Sequence, residues 1–244
     1  MIADVGTIMW KEFKELFHQR GRFRGGSIGV LIFVFGFGIL MPLQTGPGWV
    51  ESPIGLVFWA WLPYLLVSSV TADTFAGERE RHTLETMLAS CISDRALLVA
   101  KIGSAVVYGW GLTIANILVG LVTVNVAFSE GNLLMLPPAT MLGILGISLL
   151  VAVFGAGLGV TISLRAATVR QAQQTMGIVM FVVVIPLFTL PMLPEEWKAR
   201  AFQLVTNADL AAILTAVAAA FFVIDTALVL FAMSRFKRAR LILD

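Results

Sequence analysis

Apolar residues in this chain come in six long runs, at residues 28–43, 53–72, 102–128, 139–164, 175–193 and 209–234. A run of about 20 apolar residues crosses the hydrocarbon core of a bilayer as a helix, because a helix satisfies its backbone N–H and C=O groups without water. The first run is short and is closed by Pro42 and the turn-forming Gly46-Pro47-Gly48. The second contains Pro63, where a kink is expected, and the fifth has Pro186 and Pro191 near its end. Charged residues make up 13% of the chain, about half the level of a soluble domain. The expected fold is an all-α membrane protein with six transmembrane helices. The connections at 44–52 and 129–138 are too short for folded domains, so residues 28–244 read as one six-span domain preceded by a polar region, residues 1–27.

That polar region has helical spacing. Val5, Ile8, Met9, Phe13, Leu16 and Phe17 fall on one side of residues 4–19, and Lys11, Glu12, Lys14, Glu15 and His18 fall elsewhere. It is too charged to cross a bilayer. It reads as an amphipathic helix in the interface, with Trp10 at headgroup depth, or as a helix packed on the chain's own spans; the two are compatible. Arg20, Arg22 and Arg24 then form a basic step suited to anionic lipid. The first 27 residues lack a short apolar core followed by a small-residue cleavage site, so no cleaved signal peptide is expected. The single cysteine, Cys91, leaves no intrachain disulfide.

Lys and Arg set the orientation. Fifteen of the 17 lie in the N-terminal region, the 73–101 and 165–174 segments and the C-terminal tail, which six spans would place on one face; Lys198 and Arg200 lie on the other. Positive charge stays inside, so both termini and the 73–101 segment are expected in the cytoplasm, with the chain multi-pass in a plasma (inner) membrane of prokaryotic type. Between spans five and six, Pro194, Glu195 and Glu196 open a short amphipathic helix expected on the outer surface. Its apolar side is Trp197, Ala201, Leu204 and Val205, and Asn207 or Asp209 could cap the sixth span.

The 73–101 segment, DTFAGERERHTLETMLASCISDRALLVAK, is the one long polar stretch between spans. Helix formers dominate 75–89, where Phe75, Leu84, Met87 and Leu88 supply apolar contacts and Glu78, Arg79, Glu80, Arg81 and Glu85 supply charge. Residues 90–93 break the run, and Ser93 or Asp94 can cap a helix that continues into span three. A short exposed helix of mixed chemistry suits a protein partner, with apolar anchors for affinity and charges for register. The plainer alternative is a solvated loop with ordinary charge pairs four residues apart.

FAGERERHTLETMLAS followed by CISDRALLVAK closely resembles the signature of ABC-2-type transporter permeases. In that family an acidic-basic run precedes a Thr-Leu-Glu and Leu-Leu-like core, a small-residue turn and a lysine opening the next span. The matching positions are Glu78, Arg79, Glu80, Arg81, Thr83, Leu84, Glu85, Met87, Leu88, Ser93 and Lys101. His82 stands where glycine is common, and Cys91 where proline is common. The resemblance implies a cytoplasmic coupling helix that inserts into a groove of a separate ABC ATPase subunit. It implies an exporter with two permease subunits, the second a copy of this chain or a relative, and ATP and Mg bound by the ATPase. It also implies that spans two and five line the cargo pathway, where Phe58, Trp61, Met180 and Phe181 stand.

The residues add their own constraints. A phosphate-binding loop needs Gly-Lys-Ser/Thr, and none of Lys11, Lys14, Lys101, Lys198 or Lys237 follows a glycine, so this chain is expected to bind no nucleotide and to be no enzyme. No Cys/His cluster suggests a metal, the only histidines are His18 and His82, and the Arg-rich tail reads as a juxtamembrane anchor, not a nucleic-acid site. Asp225 falls near mid-bilayer in span six, where an acid is a functional candidate or a structural hydrogen-bonding group. Asn116, Thr113, Ser68, Ser69 and Thr71 read first as helix-packing groups, Asn116 also as a candidate for the pathway. The glycines of Gly155-Ala156-Gly157-Leu158-Gly159 read as a close helix contact. Two other readings stand beside the exporter: an ion-coupled secondary transporter using Asp225, for which inverted repeats are not evident, and a non-transporting membrane assembly scaffold.

Overall fold

A computed structural model describes residues 2–18, 23–51, 53–89, 92–129, 131–189 and 210–236, whose regular elements are helices with no strand among them. The helices are α1 (Ile2–His18), α2 (Phe23–Val34), α3 (Met41–Thr45), α4 (Gly48–Glu51), α5 (Pro53–Glu80), α6 (Leu84–Leu88), α7 (Asp94–Phe128), α8 (Pro138–Ser163), α9 (Val169–Thr189) and α10 (Leu210–Arg235). Among the described residues, Asp94–Phe128, Pro138–Ser163 and Leu214–Arg235 are long and apolar enough to cross a membrane, and Gly29–Thr45 is a shorter apolar stretch. The helix expected at 194–205 and the C-terminal tail from residue 237 onward lie outside the described residues. The chain divides into two compact units, one built from Met1–Val67 and Cys91–Val153, the other from Ser68–Ser90 and Phe154–Asp244.

In the first unit α1 packs along α7. Ile8 is buried while Trp10 is 73% exposed, so the helix has both a protein-facing side and an outward aromatic. Its Glu12 pairs with Lys101 of α7 at 2.9 Å, and the lysine is 1% exposed. The first apolar run is not one regular helix. Between α2 and α3 the chain widens into a π-helical turn, Phe35–Leu40. Such a turn disturbs the backbone ladder and needs outside partners, and the Gly38 carbonyl accepts a hydrogen bond from Thr123 Oγ1 at 3.0 Å. A side chain at Gly38 would meet Asn116 Oδ1 at 2.9 Å, so the turn sits directly against α7.

The core of this unit is aromatic. Trp49 and Trp59 meet edge to face at 5.5 Å, with Val50, Leu62, Ile117, Val124, Leu136 and Ile144 around them. Pro63 lies inside α5, which continues through it. The 131–137 link is pinned by Asn125, whose amide donates to the Leu134 carbonyl and accepts from the Leu134 N–H, both at 2.8 Å.

The second unit is built on close helix approach. A Cβ on Gly159 of α8 would lie 2.1 Å from Thr71 Oγ1 of α5 and 2.7 Å from Met176 Cε of α9. The glycine spacing read as a helix contact is therefore one, since only the missing side chain lets three helices meet there. Ala72, Ala76, Ala166, Val169, Ala172 and Met176 form the adjoining core. α10 joins α8 through Phe221, edge-on to Phe154 at 5.9 Å, and through Leu228 against Gly157.

Candidate functional site

The polar stretch does not form the separate helix expected over 75–89. α5 runs on to Glu80, because Ala72, Phe75 and Ala76 are buried in the second unit and burial extends the helix past the end of the apolar run. The break falls at 81–83 instead. Thr83 N–H bonds the Glu78 carbonyl at 2.9 Å and His82 N–H bonds the Arg79 carbonyl at 3.1 Å. His82 itself has φ +55°. These are the two bonds and the left-handed residue of a Schellman helix end, a position that favours glycine. The histidine thus occupies the place where the resembling pattern has glycine, and the turn closes nonetheless. α6 follows, and Ser93 starts α7, its Oγ accepting from Ala96 N–H at 3.3 Å. Of the two expected caps, Ser93 is the one used.

This geometry sorts the docking candidates. Phe75 is fully buried, its ring 5.4 Å from that of Phe236, and Glu78 and Leu84 are buried too. These three were expected to face a partner and are instead covered by the chain itself, because they fall on the inward side of α5 and α6. Arg81, His82, Thr83 and Glu85 are exposed and Met87 is half-buried; the Leu88 side chain lies outside the described residues. Arg81 pairs with Asp73, two turns back, at 3.1 Å. Gly77, midway between them, makes room: a Cβ there would sit 2.0 Å from Asp73 Oδ1.

Two more charges turn inward to the 164–169 segment. Arg79 donates to the carbonyls of Leu164, at 3.1 Å, and Ala166. Glu80 is exposed, yet its Oε1 accepts from the Val169 N–H at 2.8 Å. Ser163 Oγ accepts from the N–H groups of Phe75 and Ala76 and donates to the Ala72 carbonyl, at 3.0–3.1 Å. One part of this was legible. Thr168-Val169-Arg170-Gln171 has the spacing of a helix-start capping box, and Thr168 Oγ1 accepts from Gln171 N–H at 3.2 Å.

The candidates within the spans are divided between the two units. Asn116 is fully buried in the first unit, and neither amide atom has a hydrogen-bond partner among the described residues. Trp61 is half-buried with its ring 6.1 Å from Tyr64, and the Phe58 side chain lies outside the described residues. In the second unit Met180 is half-buried and Phe181 is 66% exposed, as a lipid-facing residue would be. Asp225 is buried on the face of α10 that carries Phe221 and Leu228, and neither carboxylate oxygen has a hydrogen-bond partner among the described residues. No three His, Cys, Asp or Glu side chains among the described residues are grouped to hold a metal.

Apolar helices of spanning length and cores built on close helix contacts, among the described residues, define an α-helical membrane protein. The chain is 29% identical over 143 residues to the ABC transporter permease protein NatB of Bacillus subtilis (strain 168). That alignment covers 52% of this chain and 36% of NatB, so the chain matches little more than a third of its relative's length. No family model matches the chain, and no solved structure matches it.

Proposed function

We propose that this chain is the permease subunit of an ABC-2-type exporter. The observation that carries the reading is the exposed turn and helix over 81–89, which presents Arg81, His82, Thr83, Glu85 and Thr86 outward while Phe75, Glu78 and Leu84 root it in the chain. The partial similarity to an ABC transporter permease supports it. In this reading a separate ABC ATPase docks on the protrusion and binds ATP and Mg, and the permease itself catalyses nothing. The working unit contains a second permease subunit, six spans per chain, and cytoplasmic termini in the plasma membrane. Closure of the ATPase on ATP pushes the protrusion, and the attached helices carry cargo outward.

The test is co-purification with an ABC ATPase of the same cell. Glu85→Lys, on the exposed side of α6, is expected to abolish capture of the ATPase with the permease still present in the membrane at its normal level. Capture at the wild-type yield by both Glu85→Lys and Arg81→Glu would remove the docking role. Reversing Glu78 or Glu80 is a poor test, because one is buried and the other holds the start of α9.

A further inference from the structure

Arg79 and Glu80 are neighbours at the end of α5, and each closes the end of a different helix. The carbonyls of Leu164 and Ala166, which Arg79 binds, lie just past α8. A helix leaves its last carbonyls without internal partners and carries partial negative charge there, which a guanidinium answers. Val169 is the first residue of α9, where N–H groups are free and partial charge is positive; the Glu80 carboxylate answers that. Each charge has the sign its helix end requires, and exchanging them would place both wrongly. Further up α5, Ser163, the last residue of α8, is tied into the backbone at Ala72, Phe75 and Ala76. The 164–168 turn is therefore held to α5 at both of its sides.

We propose that Arg79 and Glu80 are positioning residues that lock the α8–α9 turn to the end of α5, so that a displacement of α6 reaches α8 and α9 as well as α5. The Schellman turn at 78–83 supplies the other half of the linkage, by fixing where α6 leaves α5. The transmission rests on the docking role proposed for α6, whereas the lock does not depend on it.

The test reads a distance within the purified protein in lipid nanodiscs. Spin labels are placed on exposed Ala89 and Gln173 in a Cys91→Ser background. The wild-type pair is expected to give one narrow distance distribution, Glu80→Ala to lose that single peak, and Glu80→Gln, which keeps an acceptor for the Val169 N–H, to restore it. Should Glu80→Ala yield no folded protein, Arg79→Lys serves the same comparison, because an ammonium cannot span both carbonyls as the guanidinium fork does. An unchanged narrow peak in Glu80→Ala, or in Arg79→Lys where that variant replaces it, would overturn the lock; so would failure of Glu80→Gln to restore the peak. In the complex trapped with ADP and vanadate the wild-type distance is expected to stay at its nucleotide-free value, since the labelled segments move together, and a shift would overturn the transmission. If no ATPase binds, the docking reading falls while the nucleotide-free distances still decide the lock.

Discussion

His82 shows how much one residue position can carry. Its φ of +55° puts an ordinary side chain where glycine fits without strain. Left-handed backbone costs an L-residue about 1–2 kcal/mol, with histidine among the more tolerant types. His82→Gly relieves that strain but adds freedom to the unfolded chain, so thermal unfolding is expected to place it level with wild type or slightly above. His82→Val, β-branched, is expected to fall about 1 kcal/mol below wild type. Equal stability of the glycine and valine variants would show that the turn does not impose the positive φ. The sequence marked this position as a departure from a glycine-bearing pattern. It did not show that the departure leaves the turn intact, because the sign of φ is set by the two backbone bonds that close it.

At the scale of elements, the pair between Glu12 and Lys101 ties α1 to α7 across 89 residues of sequence. The amphipathic spacing of α1 and the lysine opening α7 were both legible. Their pairing was not, since nothing local to either segment refers to the other. With Lys101 1% and Glu12 13% exposed, the pair is largely out of water. Glu12→Ala, which takes the carboxylate from a buried ammonium, is expected to cost about 3 kcal/mol, and Glu12→Leu with Lys101→Met is expected to recover most of it. Thermal unfolding of the three proteins decides this. A single variant as stable as wild type would show that the pair holds nothing together. α5 teaches the same lesson: its apolar run ends at Ala72, yet packing of Ala72, Phe75 and Ala76 carries the helix on to Glu80.

For the molecule as a whole, the distribution of Lys and Arg is the strongest constraint on orientation. Six spans would put fifteen of the 17 on one side, which predicts a cytoplasmic 81–89 segment and an outer 129–138 link. Single cysteines at Thr86 and Asn132, both exposed, test this in a Cys91→Ser background. A membrane-impermeant maleimide added to intact cells is expected to label position 132, and to label position 86 only after permeabilisation. The opposite pattern would invert the molecule and remove the protrusion from reach of any ATPase.

The amino-acid order alone determined that this chain is helical and membrane-bound, where its polar stretch lies, and that glycines mark a close helix contact. These follow from local quantities: hydropathy summed over a turn or a span, and the room a missing side chain leaves. Only the tertiary structure decided which charges of the stretch face outward and which are consumed within the chain. Periodicity assigns residues to a helix face, but what covers that face comes from distant segments: Ser163 and the 164–169 turn for Phe75, Arg79 and Glu80, and open surroundings for Glu85.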